Sequence, residues 1–261
     1  MAIPPPAEAL ALAHELADAA GAAQRRYFRT PVSVETKADE SPVTIADREA
    51  EAAMRDLIRR RFPAHGVWGE EYGKSDLDAE FVWVLDPIDG TKSFITGRPL
   101  FGTLIALLHG GVPVLGIIDQ SIIGERWQGV AGRPSTHNGR PIAVRACAEL
   151  GQAVLFATSP RIFDTGELRR AYQRLEDRVR LPMFGGDCYA YGLLAMGFAD
   201  LVVEASLEPY DYMALIPVIA GAGGLLTGWS GAALTLESPG TVIAAGDARM
   251  HEAARAVLNL S

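Results

Sequence analysis

The residues best suited to chemistry lie in Asp86-Pro87-Ile88-Asp89-Gly90-Thr91. An apolar run, Trp83-Val84-Leu85, ends on an aspartate, proline sets a turn, and a second aspartate returns three residues later with glycine behind it. Two carboxylates can converge there. Hard cations such as Mg2+ take oxygen ligands, so Asp86, Asp89, the Ile88 carbonyl and the Thr91 hydroxyl form a suitable set. Gly90 lets the backbone approach closely, and the amides that open a short helix behind it suit phosphate oxygens. The same residue types favour an ordinary turn, so the motif alone leaves both readings open. Gly69-Glu70-Glu71 follows another short apolar run, where Glu70 could bridge a cation held by Asp86 or belong to a solvated surface pair. Asp47 and Asp211 each open a helical pattern, a place where an acid complements the helix dipole or caps the first turn without any chemistry.

Several elements must bring these residues together. Apolar periodicity predicts an opening amphipathic helix from Pro5 to Phe28 and a second from about Thr44 to Arg61, with Asp47 in its first turn. Short strands are expected at Gly66 to Trp68 and Phe81 to Leu85, each running into acids, with Lys74 to Glu80 as a charged loop. Thr103 to Ile118 reads as a hairpin around His109-Gly110-Gly111, and Arg126 to Val130 adds a strand. The second half alternates. Strands are expected at Ala153 to Ala157, Leu181 to Phe184, Leu201 to Glu204 and Thr241 to Ala245. Helices are expected at Thr165 to Arg178, Asp187 to Phe198, Asp211 to Ala220 and Ala248 to Leu258. The pattern implies a mainly antiparallel first sheet and a second sheet covered by helices, an α+β or α/β protein. A boundary near Pro141 to Gly151 divides it into subdomains 1–145 and 146–261. Gly221-Ala222-Gly223-Gly224 ends a helix and does not open one, so it reads as a turn and not a nucleotide loop.

With 261 residues, 49% of them hydrophobic, the chain can bury a substantial core. A formal net charge of -8 argues against a nucleic-acid binder, which needs basic surface. If an acidic protein of this kind acts on an anion, bound divalent cations are the natural means of neutralising it. Cys147 and Cys188 stand far apart, outside any metal-ligand spacing, and read as ordinary buried thiols in a reducing cytoplasm. No segment reads as a secretory signal or a membrane span. The five histidines form no metal set.

Taken in order and spacing, Gly69-Glu70-Glu71, Trp83 to Thr91 and Tyr210-Asp211 resemble the signatures of the inositol monophosphatase family of Mg2+-dependent phosphatases, over nearly the whole chain. Thr91-Lys92-Ser93-Phe94, Gly185-Gly186-Asp187-Cys188-Tyr189 and Glu208-Pro209-Tyr210-Asp211 look most like its histidinol-phosphatase branch. Tyr210 departs from the tryptophan of the general signature, which weakens an inositol assignment more than it weakens metal binding.

The resemblance implies a layered αβαβα sandwich, assembled as a homodimer, acting on a small phosphate monoester with two to three Mg2+ per active site. Glu70, Asp86, the Ile88 carbonyl, Asp89 and Asp211 would be the metal ligands. Asp47 and Thr91 would orient the attacking water, and Glu70, supporting a further cation, would count with them as catalytic. Asp89, Gly90, Thr91, Asp187, Glu204 and Asp211 would contact the substrate, and the acids at 187 and 204 suit one bearing an ammonium group. Read locally, Glu204 is equally a strand-end surface acid and Asp187 a helix cap. Lys37 and Lys92 stay outside the core assignment. The implied activity is histidinol-phosphate hydrolysis, with inositol-1-phosphate next and fructose bisphosphate or a 3'-phosphoadenosine nucleotide more distant. A catalytically idle metal- or phosphate-binding regulator is the alternative from another class.

Overall fold

The computed structural model describes residues 5–31, 33–36 and 42–258. In the first half, α1 (Ala7–Tyr27) buries Ala9, Leu12, Ala13, Leu16, Ala17 and Ala20, spaced by three and four as one helical face requires. Strands β1 (Val34–Thr36) and β2 (Pro42–Thr44) pair antiparallel and lead into α2 (Ile45–Arg61). An eight-stranded sheet follows, from β3 (Gly66–Gly69), β4 (Gly73–Ser75), β5 (Phe81–Asp89), then after α3 (Thr91–Ile95) from β6 (Gly102–His109), β7 (Val112–Gln120), β8 (Glu125–Val130), β9 (Thr136–His137) and β10 (Arg140–Pro141). Its order is β10-β9-β8-β7-β6-β5-β3-β4. The β3 and β5 pair is parallel and the others are antiparallel.

The second half builds a five-stranded sheet from β11 (Val154–Ala157), β12 (Leu181–Phe184), β13 (Leu201–Glu204), β14 (Leu225–Thr227) and β15 (Val242–Ala245). Helices α4 (Gly166–Glu176), α5 (Asp187–Ala195), α6 (Pro209–Tyr212), α7 (Leu215–Gly221) and α8 (Ala248–Leu258) alternate with these strands. The order is β12-β11-β13-β15-β14, with β11 parallel to both neighbours and β15 antiparallel to both of its own.

Three apolar cores define the layers. Trp83 and Leu85 of β5 pack with Leu12 and Leu16 of α1 and Met54 of α2. Val82 and Val84, on the other face of β5, pack with Tyr191 and Leu194 of α5, Val218 of α7 and Val202 of β13. Leu201 and Val203, the opposite face of β13, meet Tyr172 of α4 and Met250 of α8. The sequence of layers is therefore helix, sheet, helix, sheet, helix, the αβαβα sandwich. Strands buried on both faces read as unbroken apolar runs, which is why Phe81 to Leu85 shows no polar alternation. Helix α7 lies hard against the first sheet: a Cβ on Gly116 would come within 2.0 Å of the Ala214 carbonyl oxygen, and one on Gly129 within 2.2 Å of Pro217.

The structure corrects some expectations. The charged loop begins as a strand, since Gly73 to Ser75 folds back on β3. The helix expected from Asp211 to Ala220 is two helices, α6 and α7, because Pro217 has no N–H for the Met213 carbonyl and its ring crowds that position. Strands β9, β10 and β14, two or three residues long, are too short to show a period. Cys188 is buried, but Cys147 is partly exposed and so is not the buried thiol expected. No helix among the described residues is long and apolar enough to cross a membrane.

Candidate metal centre and adjoining pocket

The two aspartates of the central motif are three residues apart, and in a regular strand they would point to opposite faces. The pairing with β6 resolves this. Asp86 stands opposite Leu104 and Asp89 opposite Gly102, so β5 spends three steps where its partner spends two. That bulge makes the aspartates equivalent to positions two apart and returns both to one face. Inside it, the Ile88 amide donates to Asp86 Oδ1 at 2.9 Å, and the Thr91 hydroxyl donates to the Ile88 carbonyl at 3.2 Å. The Pro87 carbonyl is held from beneath by Gln24 Nε2 at 2.8 Å and the Thr103 hydroxyl at 3.0 Å. Gly90 turns the chain at φ 85°, a left-handed conformation that favours glycine, and starts α3.

Asp211 comes from the other half of the chain. It is the third residue of α6, and its Oδ2 accepts from the Glu208 amide at 2.7 Å. One oxygen each from Asp86, Asp89 and Asp211 lies within 4.8 Å of the others. Asp47 holds the same place in α2, where its Oδ2 accepts from the Thr44 amide at 2.8 Å and the Thr44 hydroxyl at 2.6 Å. Its other oxygen accepts from the Thr91 hydroxyl at 3.4 Å. Capping and convergence on the site therefore coexist in both acids. Glu70, immediately after β3, donates its amide to the Leu85 carbonyl at 3.2 Å and lies close enough to raise the carboxyls of Asp86, Asp211 and Asp47.

Burial, with neighbouring carboxylates adding to it, pushes Asp47 up to about 6 and Asp211 up to about 8. Asp86 and Asp89 rise well above the usual carboxylate range for the same reasons. Carboxylates gathered this way repel one another and resist ionising until positive charge is supplied. The donor set is all oxygen, so it fits a hard divalent cation such as Mg2+.

Beside this group is a cavity of about 110 Å³ lined by Asp89, Thr158, Asp187, Tyr191, Glu204 and Asp211 among others. Glu204, expected on local grounds to be a possible surface acid, is buried at the end of β13. Its oxygens accept from the Thr158 amide at 2.8 Å, the Thr158 hydroxyl at 2.5 Å and the Tyr191 hydroxyl at 3.1 Å. Burial pushes its carboxyl up to about 7. Asp187 opens α5 without capping it; its Oδ2 accepts from the Ser93 hydroxyl at 2.6 Å, and its φ is 44°. A wider groove of about 500 Å³ adjoins through Thr158 and Asp187 and carries Lys92, Arg98 and Arg161. Lys37 lies outside the described residues. A larger cavity, about 640 Å³, lies by α1, β7 and β8, away from the carboxylate group, and its Arg126 pairs with Asp18 and Asp119.

The model of the inositol monophosphatase family matches residues 6–260. The chain belongs to the inositol monophosphatase family. Family membership makes it a phosphatase, and metal dependence is general among its relatives. It is 51% identical over 253 residues to a bifunctional phosphatase IMPL2, chloroplastic, of Arabidopsis thaliana, covering 94% of this chain and 73% of that one. A histidinol-phosphatase of Chlorobaculum parvum is 36% identical over 236 residues, covering 90% and 91%. The solved structure of an inositol monophosphatase from Zymomonas mobilis aligns with TM-score 0.88 at 47% identity, covering 96% of this chain and 97% of that one.

Gln24, Thr103, Thr158 and Tyr191, which hold the Asp86 to Thr91 turn and the pocket acids, carried no local signal, and Ser93 stood in the Thr91-Lys92-Ser93-Phe94 motif without its contact to Asp187 being foreseen. Each acts on a residue at least 13 positions away, as with Tyr191 and Glu204, and usually far more.

Proposed function

We propose that this protein is a Mg2+-dependent phosphate monoester hydrolase whose preferred substrate is histidinol phosphate. In this reading Glu70, Asp86, the Ile88 carbonyl, Asp89 and Asp211 hold the cations, and Asp47 with Thr91 orients a water toward phosphorus. Cations bound there neutralise charge on the phosphate and make water more acidic. Asp47 and Thr91 share a hydrogen bond, so each can fix the direction of the other's remaining polar contact. The amides behind Gly90 suit the phosphate oxygens.

The observation that carries the choice of substrate is the pair Asp187 and Glu204 in the cavity beside the metal acids. Both carboxyls are raised, with burial the largest cause. An ammonium group entering the cavity would restore their ionised forms and gain charge-assisted hydrogen bonds; inositol offers only hydroxyls. Relatives named histidinol-phosphatase support the reading at 36% and 38% identity. The test is kcat/KM on histidinol phosphate and inositol-1-phosphate with Mg2+ present, for the wild type, Glu204→Gln and Asp187→Asn. We expect the wild type to prefer histidinol phosphate. Each variant should lose about tenfold or more on it, the worth of a hydrogen bond to a charged group, while p-nitrophenyl phosphate is affected much less. Equal losses on both compounds would remove the two acids from substrate choice.

The likeness to the Zymomonas inositol monophosphatase, at 47% identity, gives inositol-1-phosphate as the second reading. A wild-type preference for that ester would establish it. We propose also that the chain pairs as a homodimer, works in the cytoplasm, and is built as subdomains 1–145 and 146–261 that meet at the site. Light scattering on the purified protein tests the pairing.

A further inference from the structure

Asp47, Glu51 and Arg55 are four residues apart along α2 and share one face. The first of them meets Thr91 in the site. One turn on, the Glu51 carboxylate is fully buried, and three donors converge on it: the Glu71 amide at 2.6 Å on Oε2, and the Tyr72 amide at 3.1 Å and Arg55 Nε at 2.7 Å on Oε1. Arg55 also reaches past it, donating from Nη2 to the Gly73 carbonyl. The acid and the guanidinium thus grip the turn between β3 and β4 at successive points. That turn begins with Glu70. Above the carboxylate lies Gly69, where a Cβ would fall 1.9 Å from Glu51 Oε1; the missing side chain admits the carboxylate under the turn. None of these contacts includes an oxygen of the Asp86, Asp89 and Asp211 group.

We infer that Glu51, seconded by Arg55, is a positioning residue that sets Glu70 at its working distance from Asp47 and Asp86 for a divalent cation. This deepens the metal-site reading above and rests on it. The physical reason is rigidity: one helix carries both Asp47 and the clamp on the Glu70 turn, so the spacing of the two acids is fixed by helix geometry. Partners behind metal ligands commonly govern affinity without touching the ion.

Glu51→Gln keeps the size of the side chain, but both carboxylate oxygens face N–H donors, so the amide nitrogen meets a donor whichever way it is turned. Mg2+ binding to the purified full chain is measured by calorimetry, beside the Mg2+ dependence of p-nitrophenyl phosphate hydrolysis. The expected result is a loss of about tenfold or more in Mg2+ affinity, with the Mg2+ concentration for half-maximal rate rising by the same factor and kcat at saturating Mg2+ little changed. Gly69→Ala should reproduce it, because the added methyl displaces the carboxylate while leaving Glu51 in the chain; it decides the matter if Glu51→Gln does not fold. Unchanged Mg2+ affinity in the folded variants, or a fall in kcat at saturating Mg2+ with affinity intact, overturns the inference. A wild type that binds Mg2+ yet hydrolyses no phosphate ester would defeat the proposed function, while the calorimetric comparison would still decide the clamp.

Discussion

Asp89 shows how a single side chain is divided between scaffold and site. Its Oδ2 accepts from the Cys188 amide at the start of α5, and the same carboxylate contributes an oxygen to the group with Asp86 and Asp211. Asp89→Asn should therefore lower kcat with Mg2+ on the order of a hundredfold or more, given that contacts of this kind contribute several kcal/mol. It should not weaken the fold. Burial and neighbouring acids make the charge at 89 costly without a cation, so the metal-free variant is expected to melt at or above the wild-type temperature. Wild-type turnover in Asp89→Asn would remove this aspartate from the chemistry. The acids themselves were legible in the sequence because each follows an apolar run or opens a helix. The convergence of Asp86 and Asp89 was readable only as an open possibility, and that of Asp211 with them only through the family resemblance; the way it is achieved was not. It depends on the extra residue in β5, which no local pattern announces, and on supports such as Gln24, whose partner Pro87 is 63 residues away.

Among the elements, α2 and α6 repeat one device: an acid at the third helical position bonds back to the amide that begins the helix, and the same acid faces the site. The cap thereby orients a side chain of the candidate site. Thr44→Ala removes the hydroxyl that donates to Asp47 and accepts from the Ala46 amide at 3.1 Å. The expected loss is about 1 kcal/mol of stability, read as a lower melting temperature. Turnover should fall further than that stability loss explains, because Asp47 loses one of the two donors that fix its Oδ2, and Thr44→Ser should restore both. Full activity in a destabilised Thr44→Ala protein would separate the cap from the chemistry. Long elements were readable from the chain because periodicity accumulates over their length, as α1, the hairpin of β6 and β7, and α8 illustrate. The break between α6 and α7 was readable in principle from Pro217, but the apolar run from Met213 to Ile219 outweighed it.

For the molecule as a whole, the carboxylate group makes stability depend on pH in an unusual direction. Asp211 titrates at about 8 in the fold against an ordinary 3.8, so between those values the folded state holds a proton that the unfolded chain has lost. Stability from that proton is complete below about 4 and drains away as pH rises through about 8; Asp47 and Glu204 act the same way up to about 6 and 7. The protein stripped with EDTA should thus melt at progressively lower temperature from mildly acidic to mildly alkaline buffer. Added Mg2+ should raise the melting temperature, and the increment should grow with pH, because binding displaces those protons. A melting temperature indifferent to Mg2+ at every pH would contradict an ion bound by this group. The layered form that imposes these conditions depends on side chains that are missing as well as on those present. Gly116 and Gly129 allow α7 to rest backbone to backbone on β7 and β8, and α6, joined to it through Met213 and Ala214, carries Asp211 with it. Two absent methyl groups act as the shim that gauges how near Asp211 comes to Asp86 and Asp89, so refitting the proposed ion site to a cation of another radius would begin at this helix-to-sheet seam and leave the three carboxylates alone.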